Sequence, residues 1–196
     1  MKDYLRAHPA LSLCGLCCAL CPIHQMQNGC PGCGGGAGHQ SCSIIRCSLE
    51  HGRPEFCSQC AEFPCQRLAE AVQYDSFLPH SNLLANLHRV RNSGPEDLLE
   101  ELSTREGLLL WLLQNCNDGR QKTLFRTAAN LLPLDVLESA VQQIRQQIEQ
   151  EPDLKKESVP RKGRPTGSGQ RLRNFSQAAQ EKAVTQTACP AGQDLL

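Results

Sequence analysis

From Leu13 to Gly36 the chain reads LCGLCCALCPIHQMQNGCPGCGGG, and six of these residues are cysteines: Cys14, Cys17, Cys18, Cys21, Cys30 and Cys33. Eleven of the chain's 13 cysteines lie between Cys14 and Cys65. Large apolar residues are sparse there: Leu16, Leu20, Ile23, Met26, Ile44, Ile45, Leu49, Phe56 and Phe63. So short a stretch, with so little to bury, does not offset its own chain entropy by burial alone. It needs covalent or metal closure, and that requirement limits what it can fold into.

Disulfides are one way to close it. The cysteine count is odd, and no export signal is visible. ALSLCGLCCALC follows Lys2 and Arg6 and superficially mimics a signal-peptide core. It is short, carries four cysteines and has no small-residue cleavage site. The other apolar run, LLLWLL, is far too short to cross a bilayer. The expectation is therefore a cytoplasmic chain with no membrane association, whose cysteines hold metal. A formal net charge of zero gives no reason to expect a nucleic-acid or membrane partner.

The spacing sharpens this. Cys14-x3-Cys18-x2-Cys21-Pro22 is a triad; Cys30-Pro-Gly-Cys33 is a C-x2-C hook; Cys42-x4-Cys47 follows; Cys57-x2-Cys60-x4-Cys65 closes the region. A C-x2-C hook lets two thiolates of one tight turn reach one centre. Gly29, Gly32, Gly34, Gly35 and Gly36 supply backbone freedom around the second hook. Structural zinc takes four ligands from two separated hooks, as Cys30/Cys33 with Cys57/Cys60 would provide. Iron–sulfur clusters take a compact run of ligands, a distant fourth, and a Pro after one ligand, which suits Cys14/Cys18/Cys21-Pro22 better. The triad tips the reading toward a 4Fe–4S cluster over Zn2+. C-x3-C-x2-C also occurs in radical S-adenosylmethionine enzymes, but the strand–helix alternation of their barrel is missing. His24, His39 and His51 lie three or four residues from a cysteine and read as exposed loop histidines, since thiolates are already in surplus.

These residues resemble a widespread bacterial and archaeal family of cysteine-rich proteins of unknown function. Its pattern runs C-G-L-x-C-x-x-C-P, then C-x-G-C, then C-x-I-R-x-C, then C-x-x-C-x-x-[FY]-P-C. It maps onto Cys14, Gly15, Leu16, Cys18, Cys21 and Pro22; Cys30, Gly32 and Cys33; Cys42, Ile44, Arg46 and Cys47; and Cys57, Cys60, Phe63, Pro64 and Cys65. The resemblance implies metal binding in a cytoplasmic setting and no known reaction. Cys17 falls at a position where the family usually has no cysteine, so it is not expected to be a shared ligand. A redox-active thiol beside the triad is its alternative role.

Beyond Cys65 the texture turns helical. QRLAEAVQY is a short amphipathic segment, and SNLLANLHRV places Leu83, Leu84, Leu87 and Val90 at helical spacing. Gly94-Pro95-Glu96-Asp97 starts a helix reaching about Cys116, with a capping-box restart at Ser103 to Glu106. NDGR is a turn; QKTLFRTAANLL is a helix stopped by Pro133; DVLESAVQQIRQQIEQ is the last strong one. Leu108 to Leu113 with Trp111 is apolar all round and reads as core. After Glu151 the chain is rich in Pro, Gly, Ser and charge, and reads as disordered. RKGRPTG within it resembles one AT-hook, with a solvated basic linker the preferred reading.

The sequence thus predicts a small metal-stabilised, loop-rich cysteine module at 10–67, an all-α helical region at 68–150 and a disordered basic tail at 151–196. The expected metal ligands are Cys14, Cys18, Cys21, Cys30, Cys33, Cys42, Cys47, Cys57, Cys60 and Cys65. No Ser/His/Asp order, phosphate loop or acid pair suggests catalysis. The function expected is iron–sulfur electron transfer or redox sensing with an unknown protein or redox partner. The alternative is a zinc-stabilised protein-interaction module, with nucleic-acid contact through the tail as a third reading.

Overall fold

The computed structural model of the chain describes residues 3–150. The basic tail, its RKGRPTG stretch and Cys189 lie outside the described residues. Among the described residues there are six α-helices and no strand: α1 Ser43–Glu50, α2 Gln66–Ala71, α3 Leu83–Ser93, α4 Glu96–Asn115, α5 Lys122–Leu131 and α6 Leu134–Gln150. Two 3-10 turns, Cys18–Leu20 and Cys57–Gln59, and two isolated bridges, Leu5 with Gly35 and Leu11 with Cys17, hold the N-terminal region. That region is loop-rich, as its composition suggests.

The helices follow from the pattern with two changes. First, α4 runs unbroken through Ser103. Leu98, Leu102, Leu109 and Leu112 are all buried along one face, and continuous packing overrides the local capping signal. Thr104 Oγ1 instead donates back to the Glu100 carbonyl at 3.2 Å. Second, α1 lies inside the cysteine-rich stretch, where no helix is expected from the pattern. Cys42 is its N-cap, and its sulfur accepts from the Ile45 N–H at 3.4 Å. Eight residues with Ile45 as the only buried aliphatic group leave little period to read. Gly94 ends α3 at φ 82°, and α4 begins straight after Pro95. In the LLLWLL run only Leu109 and Leu112 are wholly buried. Leu110 is exposed, and Trp111 sits under the Arg145 guanidinium, 4.7 Å from its ring centre.

One core serves both regions. It runs from Leu11, Leu20, Phe56 and Phe63 into Leu83, Leu87, Leu102, Leu109, Phe125, Leu137 and Val141. Each such side chain contributes roughly 1.5–3 kcal/mol by leaving water. The Cys18–Leu20 turn packs on α4 and α5, and the Cys57–Gln59 turn packs on α3. The contact is close at Gly15. It has φ +92°, and a Cβ there would stand 2.5 Å from the Leu83 carbonyl oxygen. Asn86 of α3 donates from Nδ2 to the Gly15 carbonyl at 2.8 Å.

Inside the N-terminal region, Arg6 acts as a staple. Its side chain is 2% exposed. Nε and Nη2 donate to the Glu55 carbonyl at 3.0 and 2.6 Å, and Nη1 donates to Leu11 at 2.9 Å and Cys33 at 3.1 Å. The guanidinium pairs with the Glu55 carboxylate at 3.2 Å and lies 5.1 Å from the centre of the Phe56 ring. That carboxylate also accepts from the Ala7 and His8 amides at 3.2 and 2.9 Å.

Two substitutions test these restraints. Arg6→Ala strips donors from several buried carbonyls and leaves Glu55 unpaired; a loss of about 3–5 kcal/mol is expected in denaturant unfolding. Arg6→Lys restores little of it, because an ammonium cannot span that fork. Gly15→Ala combines a positive φ with a backbone clash and should cost about 2 kcal/mol or more.

Candidate metal centre

Three loops and a helix bring the sulfurs together. The turn from Ser12 to Leu16 is closed by Ser12 N–H to the Leu16 carbonyl at 2.8 Å and by Leu16 N–H to Ser12 Oγ at 2.7 Å. It presents Cys14, whose sulfur lies 3.1 Å from Ser12 Oγ. The Cys30–Cys33 hook is laid against the N-terminal segment by Cys33 N–H to the Pro9 carbonyl at 3.0 Å. Gly32 has φ +95°, and a Cβ would stand 2.3 Å from that same carbonyl oxygen, so only glycine fits within this hook. The Cys57–Cys60 hook is tied to the first turn by Cys57 N–H to the Leu13 carbonyl at 2.8 Å.

The sulfurs fall into two neighbourhoods. In the first, Cys33 and Cys42 lie near enough to Cys14 for their charges to act on it, and Cys33, Cys14 and Cys21 act likewise on Cys18. Burial pushes Cys14 up to about 11, above an ordinary 9.0 and against hydrogen bonds from Ser12 and Leu16. Burial also pushes Cys18 and Cys33 up. Backbone amides reach these sulfurs: Leu16 at Cys14, Leu13 at Cys33 and Ile45 at Cys42. Such N–H contacts stabilise a thiolate once it forms.

In the second neighbourhood, Cys47 on α1, Cys57 and Cys60 on the hook, and Cys65 at the start of α2 line one cavity of about 30 Å³. His51, Glu62 and Arg67 line it too. His51 Nδ1 lies 2.8 Å from the Cys47 carbonyl and 3.6 Å from its sulfur, while Nε2 faces Glu62 at 3.3 Å. The Cys47 carbonyl, then Glu62, hold the imidazole above its usual range. Cys57 is raised by burial and by the charges of Cys14, Cys65, Cys47 and Cys60, so the two neighbourhoods abut there. Ser58, inside the hook, carries the one buried side-chain oxygen without a hydrogen-bond partner among the described residues.

Of the ten expected ligands, nine fall into these two sets. Cys21 belongs to the first through its charge on Cys18, and it also acts on Arg126 of α5. Cys30 is half-buried; its carbonyl faces His24 Nδ1 at 2.7 Å. The histidines divide accordingly: His24 is half-buried against Cys30, while His51 is exposed yet in contact with Cys47. Its i+4 position from Cys47 is a signal only once α1 is known to be a helix.

Cys17 faces away, toward α3 and α4. Asn86 Nδ2 donates to its sulfur at 3.7 Å, and burial raises the thiol to about 11 although Arg105 opposes this. It lines a separate cavity of about 220 Å³ with Asn86, Arg89, Glu101 and Arg105. Cys116 caps α4 and is raised to about 11 by burial alone.

All twelve cysteines among the described residues are free thiols. Among those residues no three His, Cys, Asp or Glu side chains converge tightly enough to hold an ion as they stand. The donor chemistry nevertheless suits a soft metal, because thiols from separate segments face shared space and hard oxygen donors are few. Arg6 and Glu55, which orient the Cys30–Cys33 hook, carried no motif signal. No family model, curated protein or solved structure matches this chain.

The raised thiols have a consequence for the metal-free chain. Folding keeps Cys14, Cys17 and Cys116 protonated above their ordinary value of 9.0. The folded state therefore binds more protons than the unfolded one, and stability falls as pH rises. Melting temperature of the metal-free chain should hold up to about pH 9 and drop as pH approaches about 11.

Proposed function

We propose that this chain is a cytoplasmic, cysteine-ligated metal protein of the cysteine-rich family whose pattern it resembles, serving iron–sulfur electron transfer or redox sensing with a protein redox partner. The carrying observation is the crowding of free thiols: Cys57 alone lies within electrostatic reach of Cys14, Cys47, Cys60 and Cys65. Neutral thiols bury little surface and make weak hydrogen bonds. Bringing so many together in a loop-rich region has little stabilising effect unless a cation replaces their protons. Binding would release those protons, so affinity would fall with falling pH.

The Cys14/Cys18/Cys21-Pro22 spacing supports the iron–sulfur form, in which Cys14, Cys18 and Cys21 would be three ligands of one cluster. When bound, such a cluster supplies one-electron chemistry. The chain's own part is to exclude water from Cys14 and aim backbone amides at the sulfurs. A specific observation supports the second reading, a zinc-stabilised interaction module. The cavity of about 30 Å³ between Cys47, Cys57, Cys60 and Cys65 is of single-ion size. No helix among the described residues is long and apolar enough to cross a membrane.

Anaerobic purification separates the two readings. A brown protein carrying iron and acid-labile sulfide is the expected result. A colourless protein with stoichiometric zinc would select the interaction module. In either case Cys18→Ser should lower the metal content and Cys17→Ser should leave it unchanged.

A further inference from the structure

The ten cysteines of the motif do not by themselves say how many centres they build. We infer that Cys47, Cys57, Cys60 and Cys65 form a metal site of their own, holding one soft divalent ion apart from the centre of Cys14 and Cys18. This rests on the metal-binding reading above and adds the ligand grouping to it.

Three observations carry it. Cys47, Cys57, Cys60 and Cys65, and no other cysteine, line one cavity between α1, the Cys57–Gln59 turn and the start of α2. The space is about 30 Å³, against the roughly 10–15 Å³ that one water occupies on the same measure. That suits one ion. The four donors come from segments other than the Cys14 turn, which touches them through the Cys57 N–H to Leu13 carbonyl bond. Cys47 comes from α1, Cys65 from the residue before α2, and Cys57 with Cys60 from a turn closed by Cys60 N–H to the Cys57 carbonyl at 3.1 Å.

The chemistry agrees with the geometry. Four thiolates are the complete donor set of a closed tetrahedral site for zinc-like ions. As the chain stands the sulfurs rim the cavity without meeting at a point. An ion would draw them inward, displacing a proton from each thiol. Three of the four donors sit on short elements joined by loops, so the adjustment is local. His51, Glu62 and Arg67 also line the cavity and are not needed to complete the set.

Cobalt(II), which gives intense sulfur-to-metal absorption in thiolate sites, is the probe. Metal-free full-length protein is titrated anaerobically, alongside a Cys60→Ser/Cys65→Ser variant and a Cys14→Ser/Cys18→Ser variant. Cys47→Ser is added because that half-buried residue is the least able to disturb the core, and circular dichroism checks the helices. The expected result is that Cys60→Ser/Cys65→Ser and Cys47→Ser each lose one equivalent of the tetrathiolate signal, and Cys14→Ser/Cys18→Ser keeps that equivalent. The grouping is overturned if Cys14→Ser/Cys18→Ser abolishes the same signal while helical content is intact, since the sulfurs would then serve one shared centre. It is also overturned if Cys47→Ser binds cobalt as the parent does. If the parent chain itself gives no thiolate–cobalt signal and purifies without metal, the metal-binding function fails, a result distinct from a wrong grouping.

Discussion

The Arg6 guanidinium is the restraint on which the cysteine-rich region most depends. Loops without strands have carbonyls that no ladder satisfies, and a buried carbonyl without a donor is costly. One planar fork answers several of them at once, reaching Glu55, Leu11 and Cys33 from a side chain that is 2% exposed. The three carbonyls belong to the segments that carry the Cys57 hook, the Cys14 turn and the Cys30–Cys33 hook. Arg6 thereby sets the distance between cysteines far apart in sequence before any metal is considered.

Burial then creates an electrostatic problem around those cysteines. Cys14, Cys18 and Cys57 are held as neutral thiols because low polarity disfavours the thiolate and each neighbouring sulfur would add like charge. A cation reverses both effects. The amides of Leu13, Leu16 and Ile45, aimed at sulfur, are then favourable contacts rather than weak ones. The same reasoning separates Cys17. Its surroundings are Asn86, Arg105, Glu101 and Arg89 rather than other thiols, although it is bonded directly to Cys18.

Much of the helical architecture is legible in the chain. Apolar spacing marks α3, α5 and α6 within a few residues, because each buries one continuous stripe against the others. The errors have physical causes. The Ser103 capping box lost to the packing of Leu102 and Leu109, and α1 is too short and too polar to show a period. Within the cysteine region, spacing identifies hooks but not their partners. Nothing in the order of residues says that Cys47 faces Cys65, or that Cys14 sits beside Cys33 and Cys42.

By itself the sequence determined the density of thiols, the turns that carry them and the helical face each later segment offers. Those properties depend on neighbours a few residues away. Only the tertiary structure decided that Cys17 points to α3 and α4, that Arg6 joins three loops, and that four particular sulfurs enclose one small cavity. These depend on contacts between distant segments, which arise when both regions close around one shared core.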